Sequence, residues 1–321
     1  MFLDLNVNLR EFNTNDQELM KKMPDKDKTS NSTQKLLGIT WDAKIGKFLV
    51  ECKVLVSDNI TKRTVTSATA AVYDPMGWFL PILLKAKIFL HNLGRDRYDW
   101  DKEIKGSKRQ EWEEIVGQAN GFQKSPPRCT ALKISLATSA DVSTNAMCVR
   151  TYLLTDSQSH LLIGKSKLAS LQHKTTMPKH ELNAFTLAAR LTNSIFQQLS
   201  SSLSIRTAYV FSDSEITLNW IKSKPQKETG IFTFNRLCEI YHLGENLKSQ
   251  GCQIYFGYVS TQDNPADCGT RGLKKNDFRD HFWWTGPKFL TQERHSWPAK
   301  TCLLQSPKSK MTNHSLLLPV N

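Results

Sequence analysis

The sequence predicts an α/β protein whose C-terminal part is one mixed five-stranded sheet with flanking helices, preceded by a smaller α+β region. Three observations carry this expectation. A Ser-Pro-Pro-Arg run at 125–128 reads as a rigid, extended linker between two differently patterned stretches. Beyond it come three strand-like runs with short links, as in an antiparallel meander. Two further strands follow, each reached through a helical segment, which suits parallel pairing.

The elements follow in order. Residues 1–35 are polar and irregular, and 21–35 read as a loop. The stretch 36–56 has two β-branched and aromatic runs around a turn near Asp42–Gly46, which predicts a hairpin. Val65, Ala68, Val72 and Tyr73 recur at near-helical spacing until Asp74-Pro75 and Gly77 break the pattern. A second helix is expected over about Pro81–Leu93, and a short amphipathic one around Trp112–Val116. After the linker, 131–137 alternates as a half-buried strand does, and runs near 146–154 and 161–168 supply two more strands. Pro178 opens a long helix to about Leu199, with apolar residues at 184, 187, 188, 191, 195 and 199. TAYVFSD at 207–213 reads as a buried strand ending in an acid, and SEITLNWIKS as a short helix. A helix over about 233–249, a fifth strand at 253–259 and a short helix from about Asn264 complete the domain. The expected division is 1–125, 126–273 and a basic tail or linker at 274–321.

Bulk properties narrow the class. With 321 residues, 39% of them hydrophobic, the chain can build two modest cores and does not read as disordered. No apolar run approaches the roughly 20 residues that cross a bilayer, since 78–90 is interrupted by Pro81, Lys85 and Lys87. The N-terminus, MFLDLNVNLREF, lacks a signal-peptide pattern. The net charge of +13 divides as about +4 for 1–130, +4 for 131–273 and +5 for the last 48 residues. That balance favours attraction to a polyanion such as nucleic acid, although solvated lysines alone would also produce it. The seven cysteines form no set with zinc-ligand spacing and suggest reduced, structural thiols in an intracellular protein.

Four acids stand out: Asp141 after the first strand, Glu181 in the first turn of the long helix, Asp213 ending the fourth strand, and Asp267 opening the last helix. Acids at strand ends and first helical turns can converge on one spot, as hydrolysis of a phosphodiester by two metal ions requires. Each also has a structural reading. Asp141 would serve a turn, Asp213 and Asp267 would cap helices, and Glu181 would favour a helix dipole.

FSDSEITLNWIKS (211–223), TMPKHELNAFTLAARL (176–191) and VSTQDNPADCGTRG (259–272) resemble the ribonuclease H region of BEL/Pao-type retrotransposon Pol polyproteins. DVSTNAMCVRTYL (141–153) shares the register of that family's first-strand motif. TKRTVTSATAAVYDPMGWFLPILLKAKIFL and DWDKEI upstream are similar to the stretch after the reverse transcriptase palm, and HFWWTGPKFL and SWP to the region after the nuclease. Two departures are visible: ATSA precedes the first Asp where an aromatic or aliphatic residue is usual, and Cys148 replaces a common Gly or Ala.

The resemblance implies a ribonuclease H-like domain, with residues 1–125 as a reverse-transcriptase thumb/connection-like region. It implies Asp141, Glu181, Asp213 and Asp267 as catalytic, metal-binding residues for two Mg²⁺ ions, with Mn²⁺ a substitute. Clustered acids repel, so at least one should titrate above its ordinary range without metal. Implied partners are an RNA/DNA hybrid or template–primer duplex and the rest of the polyprotein, in a cytoplasmic retroelement particle or the nucleus, with no membrane. Lys179, Ser212, Lys222, Lys224, Arg236 and Arg271 are the candidate nucleic-acid contacts, each with a plain surface reading beside it. Ser214 is expected to cap a helix, and Trp220 and Phe234 to lie in the core.

Two other readings stay open. A catalytically decayed copy would keep the fold without the reaction. The family's usual name calls the stretch a peptidase, but none of Asp141, Asp213 or Asp267 begins the Asp-Thr/Ser-Gly triplet of an aspartic peptidase, and HExxH is absent.

Overall fold

The computed structural model describes residues 11–169, 175–223, 225, 227–298, 301, 304 and 305. They divide into two compact units. One holds the described residues up to Thr130 together with Gly272–Trp284, the other Ala131–Arg271 together with those from Thr285.

The first unit contains a four-stranded antiparallel sheet in the order β1 (Thr33–Leu36), β2 (Ile39–Asp42), β3 (Lys47–Cys52) and β4 (Phe122–Lys124). The expected hairpin is β2–β3. The expected loop at 21–35 instead includes β1 and the end of α1 (Gln17–Lys22), which Asp16 caps by accepting from Glu18 and Leu19 N–H. A capping box at Thr61 starts α2 (Lys62–Ala70). The Asp74-Pro75 break is a built turn: the Asp74 carboxylate accepts from Trp78 N at 2.7 Å and Phe79 N at 2.9 Å, leading into α3 (Leu80–Arg95). Helix α4 (Ser107–Ala119) begins earlier than expected. The proline run is no free linker. Pro126 accepts from Phe48 N at 2.9 Å and Arg128 N donates to Gly46 O at 3.1 Å, so the run lies along β3 and belongs to the first unit.

In the second unit β5 (Lys133–Val142), β6 (Ala146–Leu154) and β7 (Ser159–Leu168) form the antiparallel meander, and β8 (Ser204–Ser212) and β9 (Gln253–Tyr258) add parallel strands beside β5. The order β9-β8-β5-β6-β7 is the expected mixed five-stranded sheet, and the two-residue β10 (Leu304–Gln305) extends it antiparallel to β9. Helices α5 (Met177–Leu199), α6 (Glu215–Lys222) and α7 (Ile231–Ser249) supply the crossovers. Strand β6 is buried along its whole length, as a strand covered on both faces must be.

Helix α5 packs on one face of the sheet, with Phe185 edge-on to Phe256 at 5.5 Å and Thr192 donating to Thr138 at 2.7 Å. Its buried stripe includes Phe185, Ala189, Thr192 and Phe196, whereas Leu187 and Leu199, two expected stripe positions, are only half-buried. On the other face Tyr209 stacks with Phe211 and Tyr255, and Trp297 packs 4.9 Å from Tyr209.

The segment expected as a tail or linker from 274 therefore has a different role over its described part. Beyond α8 (Asp267–Arg271), α9 (Lys275–Arg279) places Phe278 4.8 Å from Phe122 in the first unit, and Trp283 is fully buried and donates to Trp78 O at 2.9 Å. Phe289 and Leu290 are buried in the second unit. High basic charge in the sequence conceals these apolar anchors. Residues 306–321 lie outside the described set. No described helix is long and apolar enough to cross a membrane.

Candidate active site

The parallel ladders place the carboxyl ends of β5, β8 and β9 side by side: Ala140 pairs with Ser212, and Ser212 with Tyr258. Asp141 is the penultimate residue of β5, inside the strand and buried, so it does not follow the strand and the turn reading fails. Asp213 is the first residue past β8. It does not cap α6; Ser214 does, its hydroxyl accepting from Thr217 N. The same Ser214 hydroxyl donates to the Glu181 carboxylate. Because α5 begins at Met177, Glu181 sits just beyond the first turn, and the helix-dipole reading loses its basis.

The loop before α8 is pinned to the β5 end. Asn264, 1% exposed, donates from Nδ2 to Ala140 O at 3.0 Å and accepts from Ala266 N at 3.1 Å. Thr270 donates to the Asp141 carboxylate, and Thr261 donates to Asp213 Oδ2 at 2.8 Å. Asp267 lies at the start of α8 and accepts from Arg271 Nε at 2.6 Å. Thr261, Asn264 and Thr270 were not among the expected site residues, although all three lie in the 259–272 motif around Asp267. Replacing Asn264 with Ala should destabilise the domain by roughly 1–3 kcal/mol, because the Ala140 carbonyl is left without that donor. Urea unfolding measures this, and a loss below about 0.5 kcal/mol would refute the pinning role.

Electrostatics tie the acids together. Burial pushes the Asp141 carboxyl up to about 7; the Thr270 hydrogen bond opposes this, while the charges of Asp213 and Asp267 add to it. The expected raised acid is therefore Asp141. The Arg271 guanidinium is held further towards its charged form by Asp267 first, and also by Asp141 and Asp213. Arg271 thus stands in the field of three of the four acids.

Oxygen donors of this type suit a hard divalent cation. Among the described residues, however, no three His, Cys, Asp or Glu side chains are drawn together closely enough to hold an ion by themselves. Each acid has a donor of its own: Thr270 for Asp141, Ser214 for Glu181, Thr261 for Asp213 and Arg271 for Asp267. This is compatible with Mg²⁺, which usually retains waters and takes only one or two carboxylates plus substrate phosphate.

The remaining candidates separate. Ser212 is buried and its hydroxyl accepts from Ser214 N at 3.1 Å, so it orders the turn and offers no surface to a substrate. Arg236 pairs with Glu239 at 3.0 Å, a carboxylate shared with Arg190. Lys179 is half-buried in the first turn of α5, and Lys222 is exposed at the end of α6. Lys224 lies outside the described residues. Trp220 and Phe234 are half-buried.

The mixed five-stranded sheet with its flanking helices has the α/β architecture of a ribonuclease H-like domain. Residues 61–214 match the family described as Pao retrotransposon-like RNaseH-like domain. The resemblance drawn from the sequence is borne out at this level, and the match includes Asp141, Glu181 and Asp213 but ends before Asp267. Among curated proteins, none matches this chain. RNase H1 from the halophilic archaeon Halobacterium salinarum is similar in structure at 9% identity, over 42% of this chain and 90% of that one, with a TM-score of 0.29. LC11-RNase H1, solved in complex with RNA/DNA hybrid, is 15% identical over 41% and 88%, with a TM-score of 0.29. A foamy viral protease-reverse transcriptase, solved in complex with double-stranded DNA, is 14% identical over 72% of this chain and 38% of that one, with a TM-score of 0.42.

Proposed function

We propose that the chain hydrolyses the RNA strand of RNA/DNA hybrids by two-metal catalysis, as one part of a retrotransposon polyprotein. The observation that carries this reading is the shared field of Asp141, Asp213 and Asp267 at the ends of adjoining elements, with Glu181 linked to the same corner through Ser214. These four acids would hold Mg²⁺, or Mn²⁺ in its place. Such ions, when bound, supply hydroxide near neutral pH and offset charge on the leaving oxygen. The chain's own residues do the positioning. Asn264 fixes the Asp267 loop to β5, Thr270 and Thr261 orient Asp141 and Asp213, and Ser214 orients Glu181.

Hybrid recognition would rest on shape and the 2′-hydroxyl, with Lys179 and Lys222 as phosphate contacts. Residues 1–125 would act as a thumb/connection-like grip on a template–primer duplex. Arg271 is an internal counter-ion that a bound cation must displace, after which it is free to meet a phosphate. Arg271→Gln should therefore tighten Mg²⁺ binding by roughly two- to fivefold. Calorimetric titration tests this, and weakened binding in the variant would refute the counter-ion role.

The experiment that tests the function is incubation of the purified chain with Mg²⁺ and a hybrid labelled in its RNA strand. RNA cleavage abolished by chelation is the expected result. A folded protein that leaves the hybrid intact would mean a decayed copy. Cleavage of a peptide, blocked by an aspartic-protease inhibitor, would revive the peptidase.

A further inference from the structure

At the other end of the sheet from the acids lies an open cleft of about 540 Å³ that none of the above employs. Lys133 opens β5 eight residues before Asp141, so the two are separated by roughly 26 Å along the strand. Lys133, Arg206 and Arg294 are exposed around this cleft, and among the described residues none of them is ion-paired. Asp156 also lines it, and so does Glu293, whose carboxylate lies 3.1 Å from His295. The aromatic part of the lining is half-buried Trp297, backed by Tyr209, which is only 8% exposed, with ring centroids 4.9 Å apart. The Arg294 guanidinium lies 4.0 Å from the centre of the neighbouring Tyr255 ring and 5.9 Å from that of Tyr209.

Exposed cations beside the partly open Trp297 ring meet the two requirements of a single nucleic-acid strand. Cations answer the phosphates, and rings or a guanidinium plane receive the bases. A plain acidic peptide would satisfy the cations and leave the aromatic surface unused. We propose that this cleft is a second nucleic-acid site, which takes a single-stranded segment of RNA or DNA by phosphate contact and base stacking. It places an unpaired strand on the same domain as the acids and far from them. It does not require those acids to be catalytic.

The test is binding of a fluorescent twelve-nucleotide oligothymidine, followed by anisotropy against salt concentration. The triple variant Lys133→Ala, Arg206→Ala, Arg294→Ala should bind at least about tenfold more weakly. Its log–log salt slope should be shallower by about 2, near 0.7 for each lost phosphate contact to a single strand. The three side chains are exposed, so an unchanged thermal unfolding curve is expected and certifies the fold. Ultraviolet crosslinking of an oligonucleotide carrying 5-iodouracil should label the peptide containing Trp297. Unchanged affinity and slope in the variant, crosslinks confined to other segments, or equal competition by polyglutamate would each overturn the proposal. These readouts are independent of hybrid cleavage, so failure here and failure of the proposed nuclease are distinguishable.

Discussion

Asp213→Asn is expected to reduce RNA-strand cleavage by at least about a thousandfold, equivalent to roughly 4 kcal/mol of lost transition-state stabilisation. The change is nearly isosteric. The amide oxygen can still accept from Thr261, and Ser214 rather than Asp213 caps α6, so helix and strand should be undisturbed. What disappears is a negative charge at the end of β8, next to the end of β5 that carries Asp141. A structural carboxylate would show the opposite pattern, with stability lost and any activity changing in proportion. Steady-state cleavage of a labelled hybrid, with the unfolding curve as control, separates the two. Cleavage that survives in Asp213→Asn would remove this residue from the proposed machinery.

Asp141→Asn is expected to stabilise the metal-free protein at pH 8. The folded-state pKa of Asp141 is about 7, above the ordinary carboxylate value of 3.8. The folded protein therefore keeps this proton to higher pH than the unfolded chain does. The associated stability is fully present below about pH 4 and is lost as pH rises through 7. By pH 8 the folded state must hold a buried charge, at a cost on the order of 4 kcal/mol. Asparagine avoids that charge and can still accept from Thr270. Wild type and variant should thus have similar stability near pH 4 and diverge towards pH 8 in chelator. Added Mg²⁺ should restore the wild type more than the variant. Urea unfolding at several pH values measures the difference, and a gap that stays constant from pH 4 to 8 would contradict the assignment.

The two acids differ in how much of them the sequence foretold. Asp213 is legible because the apolar run at 207–212 ends abruptly in an acid, and the short helix after it has a serine ready to cap. Asp141 is less so. Its strand was expected to end near 137, because ATSAD lacks large apolar residues, yet β5 continues to Val142. Small residues suffice there because β6, β8 and α5 crowd Ala137, Thr138 and Ala140, which are at most 1% exposed. That burial comes from the packing of distant segments, and no local pattern records it.

The residues that orient the acids show the same division. Thr261, Asn264 and Thr270 lie in a motif already marked around Asp267, but hydroxyl and amide partners depend on which strand end the loop meets. Arg271 reads in the sequence as another basic residue for phosphate. Only four-residue helical spacing and the nearness of Asp141 and Asp213 turn it into a counter-ion of the acid cluster. The segment from 274 shows the same division. Its charge is evident in composition, whereas Phe278 packs on Phe122, Trp283 bonds to Trp78 and Phe289 packs on Phe211, all partners distant in sequence.

By itself, then, the sequence determined the kinds and order of the second unit's strands and helices, the four acids and their place near element ends. Those are consequences of local periodicity and of short-range chain geometry, which need no distant partner. Tertiary structure alone decided that Asp141 is buried in a strand, that Arg271 faces the acids, and that Trp297 closes an aromatic cleft at the far end of the sheet. Burial and pairing are properties of two surfaces at once, and one stretch of sequence encodes only one of them.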